Sequence, residues 1–399
     1  ANPFLGVGLH SIGAFSAASC YTPPKQTRLW AWEIYWITQA TCAWLILPII
    51  GAFLTFSNYL EILAACPTDV MVRTFLLGML YGFGGLMFGL GIRYIGFSLN
   101  YAIAIGISAG VGTLAPLIWH PNHGFVWKLA EKFRDLPGYI VLAGILLSLV
   151  GIIFCGLAGA LRERSGDDAP SRFSFKLGVP LAVMAGLLSS VFNYSLLAGG
   201  PLADEAERNA NQAVATAAGD PAAAVAEPKA EVDGTDQGES DTVNVNGLLK
   251  MNAIYPFSHG GAWVTNFIWC LILIRRNRTA SQLIRLPGKG TGRLSFYYLM
   301  ALLSGAFWYF QFFFYGMGNA NMGEKYEFTS WALHMAMLIL FSNVYGKLFR
   351  EWEGSSLKAR WTLYAGMAII VVATLTIAYG NYLGQQPAAT EAVAMLAGR

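Results

Sequence analysis

From residue 4 to residue 384 the chain is a succession of long apolar runs separated by short breaks of Pro, Gly and charge. The runs lie near 4–20, 30–56, 70–92, 97–119, 138–161, 175–199, 252–274, 294–318, 326–349 and 361–384. Each approaches the ~20 apolar residues that carry a helix across the hydrocarbon core of a bilayer. The runs are continuous rather than alternating apolar and polar over about ten residues, which excludes a transmembrane barrel. Composition agrees with a lipid solvent: 12% of the residues are charged, about half the fraction that keeps a soluble domain wet. The expected fold class is an all-α integral membrane protein of ten transmembrane helices, with the lipid bilayer as partner and no nucleic-acid partner. The opening ANPFLGVGLHSIGAFSAAS has no basic segment ahead of its apolar run, so it is expected to be a permanent first span rather than a cleaved leader.

Lys and Arg stay preferentially on the cytoplasmic side of short loops. Loops after the odd-numbered runs hold 17 of these residues and the other side holds 9, so both termini are expected to face outward, with the basic loop 275–293 in the cytoplasm. One stretch, 203–247, is rich in Ala, Asp and Glu and has no aromatic residue. Such a composition does not bury enough apolar surface to offset its ordering entropy. It predicts a disordered acidic outward loop over 203–250. This loop separates spans one to five (1–165) and span six (166–202) from spans seven to ten (251–384), followed by a flexible tail, 385–399. Five spans on each side invert one half relative to the other, an architecture that places a transported substrate near the midplane. The segments FGLGIRYIGFSLNYAIAIGIS and FFFYGMGNANMGEKYEFTSWALHM read as comparable helical hairpins in the two halves.

The chain carries no GxxxxGK[ST] or HExxH motif, no dinucleotide-binding glycine motif after a strand and no GxSxG elbow between a strand and a helix, the GISAG at 106–110 lying inside an apolar run, so nucleotide hydrolysis, zinc catalysis and serine hydrolysis lack their usual support. No cofactor and no metal are expected. Cys20, Cys42, Cys66, Cys155 and Cys270 stand alone in or beside apolar runs and read as packing residues. What remains is the short set of polar residues inside spans, where each is costly and invites a functional explanation. His10 shares its helix face with Gly6, Gly13 and Ala17, small residues that admit a close neighbour. Glu33 stands among Trp30, Trp32 and Trp36, either as an interfacial anchor or as a proton carrier. Glu327, Trp331 and His334 follow helical spacing, and imidazole titrates near neutral pH. Trp308, Gln311 and Tyr315 follow i, i+3, i+7, one face with two aromatic rings and an amide. Apolar C–H faces and hydroxyls of a sugar need that mixture of aromatic platforms and hydrogen-bonding groups, although the same stripe also serves as bundle core.

The runs LHSIGAFSAASCYTPPK followed by WAWEIYW, RYIGFSLNYAIAIGISAGVGTL, WYFQFFFYGMG and SWALHMAMLILFSNVYGKLFREW together resemble the L-rhamnose–proton symporter family of the drug/metabolite transporter superfamily. The similarity spans essentially 4–384 apart from the acidic insert. It implies ten helices in two inverted five-helix repeats and an inner-membrane location, in which the outward termini of the charge count are periplasmic. It also implies proton-driven uptake of a 6-deoxyhexose by alternating access, L-rhamnose first and L-fucose next. It carries over to His10, Tyr21, Lys25, Trp32 and Glu33; Arg93, Tyr94, Gly106, Gly112 and Thr113; Trp308, Tyr309, Gln311 and Tyr315; and Trp331, His334 and Trp352. Sugar contacts are accordingly expected from His10, Trp36, Trp308, Gln311, Tyr315, Trp331 and His334, and proton coupling from Glu33, Glu327 or His334. The small sugar and protons are the expected partners. An exporter or exchanger of other polar metabolites would use the same scaffold, as would a membrane sugar sensor that does not transport; accumulation of labelled sugar separates them.

Overall fold

The computed structural model describes residues 2–20, 22–163, 174–217, 245–288, 293–323 and 325–386. Its long helices are α1 (Pro3–Ser19), α2 (Trp32–Thr55), α3 (Thr68–Ile95), α4 (Phe97–Leu114), α5 (Leu136–Glu163), α6 (Phe175–Ala198), α7 (Tyr255–Asn277), α8 (Leu294–Asn321), α9 (Ser330–Leu348) and α10 (Leu357–Gln385). Among the described residues nine helices, α2 to α10, are long and apolar enough to cross a membrane. The first expected span is the 17-residue α1, about 26 Å long at 1.5 Å per residue. Its Asn2 side chain accepts a hydrogen bond from the Leu5 N–H at 3.2 Å and Pro3 opens the first turn, a conventional helix start.

The molecule is inside-out relative to a water-soluble protein. Leu54 of α2, Leu76 of α3, Ile153 of α5 and Leu375 of α10 are exposed, whereas Ser108, Thr113, Ser195 and Asn381 are buried. In lipid no hydrophobic force pulls helices together, so close packing through small residues and interhelical hydrogen bonds does that work. The α5–α10 contact illustrates it: a Cβ added to Gly144 would meet Ile377 at 2.6 Å, and one on Gly366 would meet the Gly151 carbonyl at 3.0 Å. These features make the chain a multi-pass membrane protein. The five cysteines are all buried free thiols, as packing residues should be.

Two local devices shape the interior. Gly96 joins α3 directly to α4 with φ 80° and ψ 167°, a backbone region essentially open to glycine alone, so the helical hairpin read from the sequence turns on one residue. Within α2, Cys42–Ile46 is a single π turn in which the Leu47 N–H reaches back to the Cys42 carbonyl. It precedes Pro48, whose ring would clash with a regular preceding turn.

Packing relates the two halves helix by helix. Helix α1 lies on α8 and α9, and α6 lies on α3 and α4; α2 meets α8, and α7 meets α3. The pairs α2–α7, α4–α9 and α5–α10 are also in contact. At the end carrying the α4–α5 connection, Lys325 pairs with Asp135 at 2.6 Å and the Tyr326 hydroxyl donates to the same carboxylate at 3.2 Å. Burial pushes the Asp135 carboxyl up, but the Lys325 ammonium, the Gly138 N–H and the Tyr326 hydroxyl outweigh it and hold it below the usual range.

The expected disorder over 203–250 is corrected at both ends. Residues Gly200–Ala217 and Val245–Leu249 are helical, while 218–244 lie outside the described residues. Leu202, Ala203 and Ala206 are buried; Leu202 and Ala206 join a cluster with Tyr59 and Ile62. Lys250 bonds Glu207 at 2.8 Å and Asn58 bonds Asn209 at 2.6 Å. Mean composition missed this because alanine favours helix and one narrow apolar stripe suffices once a neighbouring surface receives it. The tail from residue 387, Tyr21 and the side chains of Lys25 and Arg93 also lie outside the described residues.

Candidate functional site

The segment YGFGGLMFGLG in α3 removes side chains from one helix face. Gly85 and Gly89 line a cavity of about 290 Å³ whose walls come mainly from α2, α3, α4, α8 and α9. A side chain added at either glycine would meet nothing within 4 Å. The size sits near the lower end of small-ligand sites, suited to one compact ring. Trp32 and Ile92 stand at the mouth, the same end of the bundle as the start of α2 and the end of α3. Trp32 is exposed there and stacks on Trp36, with ring centroids 5.2 Å apart and 17° between planes.

Three indoles line the interior edge to face: Trp36 and Trp44 at 6.0 Å, Trp44 and Trp308 at 6.1 Å. The π turn of α2 carries Trp44. Trp36 Nε1 donates to Asn266 Oδ1 at 3.0 Å, which spends that indole on α7. Other polar atoms of the lining are uncommitted: Gln311 Nε2, Trp44 Nε1, Trp308 Nε1 and Ser108 Oγ are buried and have no hydrogen-bond partner. Leaving a buried donor unmade is costly, and all four of these residues belong to the lining of one cavity. Aromatic faces together with amide, indole and hydroxyl groups are the mixture set out above for a sugar.

Phe312 and Trp331 close the inner end of the cavity. Trp331 Nε1 donates to the Ser108 carbonyl at 2.9 Å, and Gly112 lies so close that a Cβ there would overlap the indole. Beyond them is a second layer, His10, Tyr315 and His334. Tyr315 lies 5.9 Å from Trp331, 5.2 Å from His10 and 5.4 Å from His334, and the two imidazoles are 6.0 Å apart. Glycines on both helices permit this: a Cβ on Gly13 of α1 would meet the Gln311 carbonyl at 2.7 Å, and one on Gly318 of α8 would meet the His10 ring at 2.9 Å.

Of the sequence-predicted residues, Trp36, Trp308, Gln311 and Trp331 therefore line the cavity, and His10, Tyr315 and His334 lie behind it. Two stand apart. Glu33 is buried at the start of α2, where its Oε1 accepts from Asn277 Nδ2 at 3.0 Å and Thr279 Oγ1 at 2.8 Å, tying α2 to the end of α7. Glu327 does not continue the α9 stripe; it is exposed in the 3-10 turn Glu327–Thr329 before the helix. Trp352 packs at the far end of α9 under the Arg162 guanidinium, 5.1 Å from the ring centroid. Sequence reasoning missed Trp44, Tyr81, Ser108, Asn266 and His259. Trp44 lies eight residues past Trp36 and periodicity could have found it, whereas Ser108 and His259 carry no local pattern.

The family described as L-rhamnose-proton symport protein matches residues 2–221 and 234–382. The chain belongs to this family. It is similar to the L-rhamnose-proton symporter of Mannheimia succiniciproducens, 30% identical over 377 residues, covering 94% of this chain and 97% of the relative. The L-rhamnose-proton symporter of Pectobacterium atrosepticum is 29% identical over 380 residues, 95% of this chain and 98% of its own length. That of Yersinia pestis is 29% identical over 380 residues, 94% and 97%. No solved structure matches the chain. Within this symporter family, the stretch 222–233 is the interior part of the chain left unmatched.

Proposed function

We propose that this protein is a secondary active transporter that takes up L-rhamnose with protons across a bacterial inner membrane, by alternating access of a central cavity. Family membership supports the substrates, and the observation that carries the site is the cavity between the halves, whose lining combines three indoles with Gln311, the Nε2 of which has no partner. Trp308, Trp36 and Trp331 supply apolar platforms, and Gln311 the principal hydrogen bond. L-fucose, another 6-deoxyhexose, is the second substrate to test. The proton function falls to His334 among the three predicted groups, since Glu33 is engaged by two donors and Glu327 is exposed away from the cavity. Ten helices in two inverted repeats are supported by the one-to-one pairing of contacts, α1–α8 with α6–α3, α1–α9 with α6–α4, and α2–α8 with α7–α3. Everted or right-side-out vesicles with an imposed pH gradient test the reading. Labelled L-rhamnose should accumulate above its external level, and accumulation should collapse with a protonophore; exchange without accumulation would instead support the exchanger.

The charge asymmetry of the loops supports a periplasmic position for both termini and the acidic insert. A cysteine introduced within 218–244 should react with an impermeant thiol reagent on intact cells. Removing 218–244 and joining the ends with a short flexible linker should leave rhamnose uptake within about twofold, because a polar connector adds little to a lipid-embedded core. Leu202→Asp should lower the amount of folded protein severalfold, since it buries a charge against Tyr59 and Ile62. Labelling seen only after permeabilisation would reverse the orientation, and loss of uptake on deletion with expression intact would give the segment a transport role.

A further inference from the structure

Proton coupling needs a group inside the bundle that gains and loses a proton as the cavity changes sides. Among the described residues Glu33 is the one buried carboxylate, and no Lys, Arg or Asp side chain is buried. Both donors that reach Glu33 converge on the same oxygen from the end of α7, an arrangement that stabilises the ionised acceptor and holds two helices together. The other buried titratable bases are imidazoles. His10 from α1 and His334 from α9 are fully buried, their rings 6.0 Å apart, and none of their four ring nitrogens has a hydrogen-bond partner. His259 from α7 stands on the other side of Phe312: its ring is 4.8 Å from that phenyl ring, and His334 is 6.4 Å from it. His259 Nε2 is also without a partner, while Nδ1 lies 3.3 Å from Ser258 Oγ.

Resting on the symporter reading, we infer that the His10–His334 pair is the proton-carrying site, that it holds one proton at a time, and that Phe312 and Trp331 transmit its state to the sugar cavity. The neutral imidazoles offer lone pairs, so the step is formation of one N–H bond from a proton entering on the outer side and its rupture on release to the inner side. Two imidazolium rings at this spacing in a low-dielectric interior repel, which limits the pair to a single proton per cycle. The titratable group facing both rings is Tyr315 of α8. Tyr255 of α7, whose hydroxyl bonds the Phe312 carbonyl at 2.5 Å, and Tyr309 lie in the adjoining ring layer, and Glu327 is the carboxylate with an electrostatic influence on Tyr315. The coupling to sugar is geometric. Phe312 and Trp331 line the cavity on one face and adjoin the imidazole and Tyr315 layer on the other. A proton that reorients either imidazole therefore moves a wall of the sugar site.

The test uses the full chain in proteoliposomes. Sugar-driven proton entry is read with a trapped pH dye, and counterflow of labelled L-rhamnose is read without any gradient. In His10→Gln and His334→Gln, sugar-driven proton entry should fall at least tenfold relative to the counterflow that each variant retains. Glu33→Gln should retain proton entry wherever it retains counterflow. L-rhamnose affinity of the unaltered protein should change by up to tenfold per pH unit, the slope for one linked proton. That slope should persist in Glu33→Gln, which decides the matter if a histidine variant does not fold. Loss of proton entry in Glu33→Gln with both histidine variants still coupled overturns the assignment, and so does a limiting slope of two protons. Absence of rhamnose-driven proton entry in the unaltered protein overturns the symporter reading itself, a separate result from intact coupling in the histidine variants.

Discussion

Gly112→Ala is expected to damage both the fold and the sugar site. The new Cβ would overlap the Trp331 indole and approach Ser190 Cβ at 3.4 Å. The indole has little freedom to give way, because its N–H is bonded to the Ser108 carbonyl and its ring adjoins Phe192 and Tyr315. The Gly112 carbonyl is itself the acceptor for Asn193 Nδ2 at 2.8 Å, so moving the backbone instead breaks a buried bond. Overpacking of this kind costs about 1–3 kcal/mol. Displacement of Trp331 also deforms the closed end of the cavity, and the expected result is a lower unfolding temperature together with at least a tenfold loss of L-rhamnose affinity. Gly8→Ala is the matched control. That glycine faces outward on α1 with nothing within 4 Å of the added atom, and alanine improves helix propensity, so stability and uptake should hold or rise slightly. Equal behaviour of the two variants in a thermal-shift and uptake comparison would show that Trp331 does not shape the site.

Gln311→Ala is expected to lose sugar affinity with the fold intact. The amide is 3% exposed and its Nε2 has no partner in the protein, so truncation removes no internal bond made by that nitrogen. What it removes is a donor available to a sugar hydroxyl. A ligand hydroxyl left buried without its partner costs about 1–3 kcal/mol, which corresponds to a Kd rise of about 5- to 150-fold. The cavity left by the shortened side chain adds a stability cost, so Gln311→Leu, similar in size but unable to hydrogen bond, is the cleaner variant. Both should bind L-rhamnose weakly by isothermal titration at every pH, unlike a proton-site variant, whose defect lies in coupling. Unchanged affinity in Gln311→Leu would move the principal polar contact to Ser108 or Trp44.

The amino-acid sequence alone determined the solvent and the class of fold, because lipid demands long apolar runs that satisfy their own backbone hydrogen bonds, and such runs are visible without any tertiary knowledge. It also determined the close approach at His10, since Gly6 and Gly13 on one face of α1 state what that face admits, and the α3–α4 hairpin, since its two apolar runs follow closely on one another, whereas the turn on Gly96 came from the structure. The i, i+3, i+7 face of Trp308, Gln311 and Tyr315 was legible as a face, but whether it met a cavity was not. Tertiary structure decided that Gln311 and Trp308 line a cavity while Tyr315 packs behind Trp331. It gave Glu33 partners from residues some 240 positions away, and it set His334 beside His10 across the width of the chain. Periodicity reports which residues share a face of one helix. Which face meets which depends on packing among helices far apart in sequence, and polar residues inside a membrane acquire their roles from the partners that packing supplies.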